Sequence, residues 1–305
     1  MRKGKSFTWA LVILLLFFVA AVLIGYPFLS DYLFVHRTAS VVNTVRTAAN
    51  EKDKEEKALM RQEAQTYNEM LFCGYIQQKA SFFEMAQTME PDFYQSLLNV
   101  SGDGVMGVVE IPCIDVRLPI YHGTDAESLE KGAGHLQGTS LPVGGDGTHT
   151  VLTGHTGLSN ARLFTDLTAV KEGDTFSLEV LGERLTYQVD QIRTVLPADV
   201  EVLHIEKGKD YCTLLTCTPY GTNTHRLLVR GVRQEYSEEK EQWKNEKKRA
   251  EPSQWMKEYK RALCISLTMF GASLLTVIFV RQDRKEKERK LRRKRKKKGV
   301  YRIER

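Results

Sequence analysis

Thr213-Leu214-Leu215-Thr216-Cys217-Thr218-Pro219-Tyr220, leading through a short loop to His225-Arg226-Leu227-Leu228-Val229-Arg230, is the stretch on which the reading of this chain turns. Tyr211 to Thr216 has the β-branched, aromatic and leucine content of a buried strand. Thr-Pro-Tyr-Gly then forces a turn, which leaves Cys217 at the strand end. A second apolar run, Leu227 to Val229, follows the turn and is led by His225 and Arg226. A thiol at a strand end thus faces a guanidinium across a short loop, a seat suited to covalent catalysis.

Outward from this hairpin, short strands recur at close spacing. Val105–Ile111, Val116–Tyr121, Thr148–Thr153, Thr175–Val180, Leu185–Ile192, Tyr211–Thr216 and Leu227–Val232 all read as strands, separated by turn clusters such as Gly144-Gly145-Asp146-Gly147. Seven or eight strands over about 130 residues predict an all-β barrel or sandwich. Short helical turns are expected at Ala126–Lys131 and Ala161–Leu167. Ser101-Gly102-Asp103-Gly104 opens this region as a turn, since the further carboxylates of a calcium loop are missing.

The flanks have a different texture. Residues 7–29 and 262–280 are too apolar for a barrel core, and each approaches the ~20 residues that cross a bilayer. The first, behind Arg2, Lys3 and Lys5, reads as an uncleaved anchor: its apolar run exceeds that of a signal peptide and no small-x-small cleavage site follows. Residues 281–305 carry 15 Lys/Arg against four acids. Removing +11 for this tail and +3 for residues 1–5 from the total of +6 leaves −8 for residues 6–280. The positive-inside tendency then puts both termini in the cytoplasm and the domain between them outside. The run Arg292–Lys298 reads as stop-transfer and anionic-lipid contact rather than a nucleic-acid patch.

The boundaries that follow are a cytoplasmic N-terminus (1–6), a first span (7–29), a helical and lid region (30–100), the barrel (101–235), a charged stalk (236–261), a second span (262–280) and a basic tail (281–305). From Ala39 to about Phe72 helix formers with mixed charges predict a partly solvated helix. Beyond it Phe82, Phe83, Phe93 and Tyr94 stand in a loop context, either packing the helix on the barrel or forming a flap over a site. The five cysteines do not make a disulfide framework. Cys264 lies in the second apolar stretch, and Cys212 and Cys217 are about 16 Å apart on an extended strand, beyond bridging reach. Cys73 with Cys113 stays open.

A thiol is mostly protonated at neutral pH, so Cys217 needs a partner that stabilises the thiolate or carries the proton. Among seven histidines His155 stands out. It follows the strand Thr148–Thr153 within Gly154-His155-Thr156-Gly157, where glycines allow a sharp turn and leave the imidazole accessible. His149, His135 and His225 read as packing or hydrogen-bonded residues, and a zinc site from His149, His155 and a cysteine lacks ligand spacing. Arg226 stays charged and cannot be a base; it suits oxyanion and substrate stabilisation. The bland alternative makes Arg226 a surface ion pair and Cys217 an inert small hydrophobe. No cofactor or metal is read into the chain.

These residues resemble a known family. Thr213-Leu214-Leu215-Thr216-Cys217 fits the sortase pattern T-L-x-T-C, with Arg226 nine positions on and Thr153-Gly154-His155-Thr156-Gly157-Leu158 like the segment bearing the sortase histidine. Gly107-Val108-Val109-Glu110-Ile111-Pro112, Leu118–Thr124 and Thr218–Gly231 resemble the pilus-building class C sortases. The resemblance implies a mainly β fold: an eight-stranded sortase-type β-barrel with an N-terminal helical segment, here flanked by two transmembrane helices. It implies a cysteine transpeptidase in which Cys217 attacks the Thr–Gly bond of an LPxTG-like signal on a pilin. His155 would exchange the proton, Arg226 would support the tetrahedral intermediate, and a lysine amine of the next pilin would resolve the thioester. Class C members carry an Asp-Pro-aromatic lid; the corresponding region, with Ser81 and Phe82 as candidates, lacks that motif here. Two alternatives stay open: a housekeeping-type sortase joining proteins to the cell wall, and an inactive membrane-tethered module that binds sorting signals.

Overall fold

The computed structural model describes residues 3–78, 84, 90–158, 161–199 and 201–235, together with 259–266 and isolated positions up to 290. The side chains of residues 3–18, 21, 23 and 76–78 are not among those described. The chain divides into Met1–Trp255 and Met256–Arg305. In the second unit residues 259–266 are helical.

The first unit begins with α1 (Lys3–Glu51) and α2 (Lys54–Gln78), then α3 (Pro91–Ser96). The strands are β1 (Val105–Ile111), β2 (Val116–His122), β3 (Ala133–His135), β4 (Thr148–Thr153), β5 (Thr175–Val180), β6 (Glu183–Val195), β7 (Asp210–Thr218) and β8 (His225–Gln234), with α4 (Ala126–Lys131) between β2 and β3. They close in the order β1-β2-β3-β4-β7-β8-β6-β5. Closure gives each strand two neighbours, so no edge is left open for a foreign strand. Two pairs are parallel, β2 with β3 and β4 with β7; the rest are antiparallel.

The seven strands predicted from the sequence are all present, four of them at the predicted bounds or within one residue. β3 was not predicted: at three residues it is too short to carry an alternating pattern. The predicted turn at Ala126–Lys131 is α4, capped by Asp125 accepting from the Ser128 amide at 3.1 Å. That at Ala161–Leu167 is a 3-10 turn displaced to Thr165–Ala169.

The barrel interior holds Met106, Val109, Ile120, Leu152, Phe176, Leu178, Tyr187, Cys212, Leu214, Leu227 and Val229. β1 is buried along its whole length, because its outer face is covered as well. Val45 of α1 packs on Val105 and Tyr121. The next residue, Arg46, binds Glu179 of β5 through both carboxylate oxygens and Glu110 of β1 at 3.0 Å. Arg117 and Arg184 complete the ring of cations around the buried Glu110, at 2.6 and 2.5 Å.

The predicted single helix over 39–72 is two helices. The break falls at Lys52-Asp53, where Asp53 caps α2 by accepting from the Glu56 amide at 2.8 Å. The turn lets α2 fold onto the barrel and bury Ala64, Tyr67 and Leu71, a single helical face. Asn68 on that face both donates to the Leu141 carbonyl (3.2 Å) and accepts from the Leu141 amide (2.7 Å). Of the aromatics beyond it, Tyr94 is buried and its hydroxyl bonds His135 Nδ1 at 2.8 Å and the Gly123 amide at 3.0 Å, so it packs the helical segment on the barrel.

Ser81 and Phe82, the lid candidates, and the stalk from 236 to 258 lie outside the described residues. Among the described residues no helix is long and apolar enough to cross a membrane. The expected spans at 7–29 and 262–280 therefore gain no support from the structure; the side chains of 7–18 and most of 262–280 lie outside the description. All five cysteines are free thiols, so the pair Cys73 and Cys113 left open above is unbridged.

Candidate active site

The site forms where β4, β7 and β8 run side by side. Cys217 pairs in register with Arg226 across the antiparallel β7–β8 ladder, so their side chains share one face of the sheet. On the other side β7 runs parallel to β4, with Thr153 opposite Leu215. Two residues further along, His155 follows the end of β4, as Cys217 follows Leu215 in β7. The chain leaves the ladder in between, but Gly154 still donates to the Leu215 carbonyl at 3.0 Å. The buried Thr216 hydroxyl donates back to the Gly154 carbonyl at 2.6 Å. These two bonds tie the histidine segment to the cysteine strand. His155, Cys217 and Arg226 are each half-buried, open enough to meet a substrate.

Residue alternation explains what lies beneath them. Cys212 and Leu214 point into the core, which puts Leu215 and Cys217 on the outer face with Leu228 and Arg226. Val151, Leu215 and Leu228 make a small apolar floor there, joined by Leu203, Val202, Val195, Leu136 and Tyr75. The floor is what sequence reading missed. Its signal is the adjacent apolar residues in each strand, Val151-Leu152, Leu214-Leu215 and Leu227-Leu228-Val229, which fit strands covered on both faces without saying by what.

Loops hold the groups from both ends. Arg226 Nη1 donates to the Asn223 carbonyl at 3.2 Å and to its neighbour His225 at 3.1 Å. Among the described residues no carboxylate pairs with it. The β7–β8 loop is folded by Thr222 and Asn223 amides on the Pro219 carbonyl, after a cis Thr218–Pro219 bond. Its Tyr220 ring lies against Gly157, whose φ of +77° suits glycine. Phe164 closes the histidine loop by donating its amide to the His155 carbonyl at 3.1 Å. A side chain at Gly154 would come within 2.6 Å of the Phe164 ring, so only glycine fits there.

The other histidines and the second strand cysteine are structural. His149 bonds the His204 carbonyl at 2.8 Å and the Thr213 hydroxyl at 2.7 Å. His135 spans Tyr94 and the Ser140 carbonyl, the latter at 2.9 Å. Burial lowers both to about 4, so they stay neutral. His225 bonds Thr224 at 2.9 Å. Cys212 is fully buried and its thiol is pushed well up by desolvation, with the Asp210 charge adding to it; a thiol held protonated is a poor nucleophile. Cys217, by contrast, is half-buried at the end of its strand.

Residues 109–234 match the family model described as the sortase domain. Sortase A of Bacillus anthracis is 28% identical over 230 residues, 75% of this chain and 95% of that protein. Sortase A of Staphylococcus aureus is 36% identical over 124 residues, 39% of this chain and 58% of that one. Among solved structures, sortase C1 from Streptococcus agalactiae is 43% identical with a TM-score of 0.59, matching 65% of this chain and all of that one. Clostridium perfringens sortase C, solved with the C-terminal cell wall sorting motif, is also 43% identical, with a TM-score of 0.55 and coverage of 65% and 100%. Barrel order, strand-end thiol and these likenesses lead to one conclusion: the chain belongs to the sortase family, is a cysteine transpeptidase, and falls with the class C sortases.

Proposed function

We propose that this enzyme cleaves LPxTG-like sorting signals between Thr and Gly and joins the acyl group to a lysine amine of a pilin, so polymerising pili. Cys217 is the nucleophile, His155 the proton donor and acceptor, and Arg226 the stabiliser of the oxyanion and of the substrate backbone. The observation that carries the reading is the pairing of Cys217 with Arg226, next to the strand whose end leads into His155 and is tied to the cysteine strand through Gly154.

In the first step the Cys217 thiol gives its proton to His155 as its sulfur bonds to the threonine carbonyl carbon. The carbonyl oxygen gains charge, which the fixed guanidinium of Arg226 is placed to offset. The C–N bond breaks as His155 passes a proton to the glycine amine, leaving a thioester. A lysine amine then attacks the thioester and gives a proton to His155, which passes it to the Cys217 sulfur as the C–S bond breaks and an isopeptide bond forms. The class C likeness supports the pilin acceptor, and the neighbour solved with a sorting motif supports the donor.

Residues 7–29 and 262–280 are read as membrane anchors that hold the barrel outside the cell with both termini in the cytoplasm. The apolar runs and the basic flanks support this. Ser81 and Phe82 stay candidates for a lid in a segment that lacks the Asp-Pro-aromatic motif. One relative was solved as a lid mutant, which supports a cover in this group.

In membranes co-expressing an LPxTG pilin, Cys217→Ala abolishes high-molecular-weight pilin ladders and the thioester with an LPxTG peptide. Ladders that persist sink the reading. The curated relatives named Sortase A keep one rival in view, transfer to a cell-wall amine. Product formed with that amine but not with pilin lysine would decide for it.

A further inference from the structure

We propose that Asp31 and Arg162 are a positioning pair through which α1 holds the His155 loop in its reactive placement; this rests on the proton-transfer role given to His155 above. Arg162 Nε lies 3.2 and 3.4 Å from the two carboxylate oxygens of Asp31. The carboxylate is only 16% exposed, so solvent screens the pair less than it would on an open surface. The pair lines a cavity of about 740 Å³ between α1 and the barrel, together with Phe34, Val35, Leu118 and Leu163.

Three consecutive residues carry the link from that pair to the site. Arg162 is fixed to α1 and its carbonyl accepts from the Thr165 amide at 2.8 Å. Leu163 follows at φ 41°, in the left-handed region that a branched side chain avoids, and is buried to 2% exposure. Phe164 comes next, with its amide on the His155 carbonyl and its ring against Gly154. Thr165 adds a second closure, its hydroxyl accepting from the Gly157 amide at 3.1 Å. A strained residue persists only where its surroundings hold it from both sides. On one side here is His155, and on the other is α1. Arg46, which clamps α1 to Glu110 and Glu179, is 15 residues from Asp31, roughly 22 Å along the helix. It fixes the helix against the barrel and leaves the loop to Asp31.

The test uses the full chain and an LPxTG peptide, with Asp31→Asn, Arg162→Gln, both together, and the exchange Asp31→Arg with Arg162→Asp. Each single change lowers kcat about threefold to tenfold with KM within twofold. The double neutral variant loses no more than either single one, and the exchange regains most of the rate. Amide hydrogen exchange at Phe164 reads the loop without turnover: it speeds up in the single variants and returns towards the parent rate in the exchange. Unchanged kcat and Phe164 exchange overturn the proposal, as do additive losses or an exchange variant that recovers nothing. A parent enzyme that forms no thioester overturns the role of His155 instead, while Phe164 exchange still reports on the pair.

Discussion

Thr216 precedes the nucleophile, yet its side chain turns away from the site and holds the histidine segment. Its hydroxyl donates to the Gly154 carbonyl at 2.6 Å in a fully buried position. Valine has the same shape and no donor, so Thr216→Val strands that carbonyl, a loss of about 1–3 kcal/mol. The bond sits one residue from His155 and one from Cys217, so part of the loss falls on their alignment, where a small misplacement is expensive in rate. We expect Thr216→Val to lower kcat about tenfold or more with little change in KM, and Thr216→Ser to retain most activity. Steady-state cleavage of an LPxTG peptide by the two variants checks this. Equal rates for Val and Ser would show that the hydroxyl does not align the pair.

At the scale of elements, legibility followed sequence distance. Cys217 and Arg226 lie nine positions apart on one hairpin, so their pairing could be read from the loop length. His155 enters through the parallel β4–β7 pair, whose partners are 62 positions apart. No local pattern states that pairing; glycines around an accessible imidazole pointed to the residue, and the sortase resemblance gave it a role. The break between α1 and α2 had a readable signal, Asp53 with Glu56 three residues on, a cap followed by an acid in the first turn. The mixed charges of the stretch concealed it, because they suit a solvated helix equally well. The docked face of α2 was hidden for another reason: its centre is polar. Asn68 offers the amide pairing that a strand neighbour would give to Leu141. Asn68→Ala removes it and leaves the Leu141 N–H unpaired, while the Leu141 carbonyl keeps the Thr150 hydroxyl at 3.3 Å. We expect a loss of about 2 kcal/mol, a fall in Tm of several degrees by calorimetry. A change under one degree would mean that α2 is held by its apolar face alone.

Across the whole molecule, the buried histidines make stability depend on pH in a direction that can be worked out. His135 and His149 are fully buried and lowered from 6.5 to about 4, chiefly by desolvation. His122 is lowered too, again by burial, against the carbonyls of Gly104 and Leu97 that face its ring nitrogens at 2.9 and 2.7 Å. Between about pH 6.5 and 4 the unfolded chain takes up protons at His135 and His149 and the folded one does not. Stability therefore falls as pH drops through that window and levels off below it, by up to roughly 3 kcal/mol for each of His135 and His149. Asp210 acts in the opposite sense. Burial raises its carboxyl above 3.8 despite the Gly145 amide and the Tyr187 hydroxyl, so folding favours its protonated form and offsets part of the loss at the acid end. The urea midpoint should fall steadily from pH 7 to pH 4. His149→Gln, which keeps an amide donor and acceptor near the His204 carbonyl and the Thr213 hydroxyl, should flatten the slope. A midpoint that stays level or rises on acidification would show that these imidazoles are reached by water in the folded barrel. A variant with the parent slope would clear His149 alone.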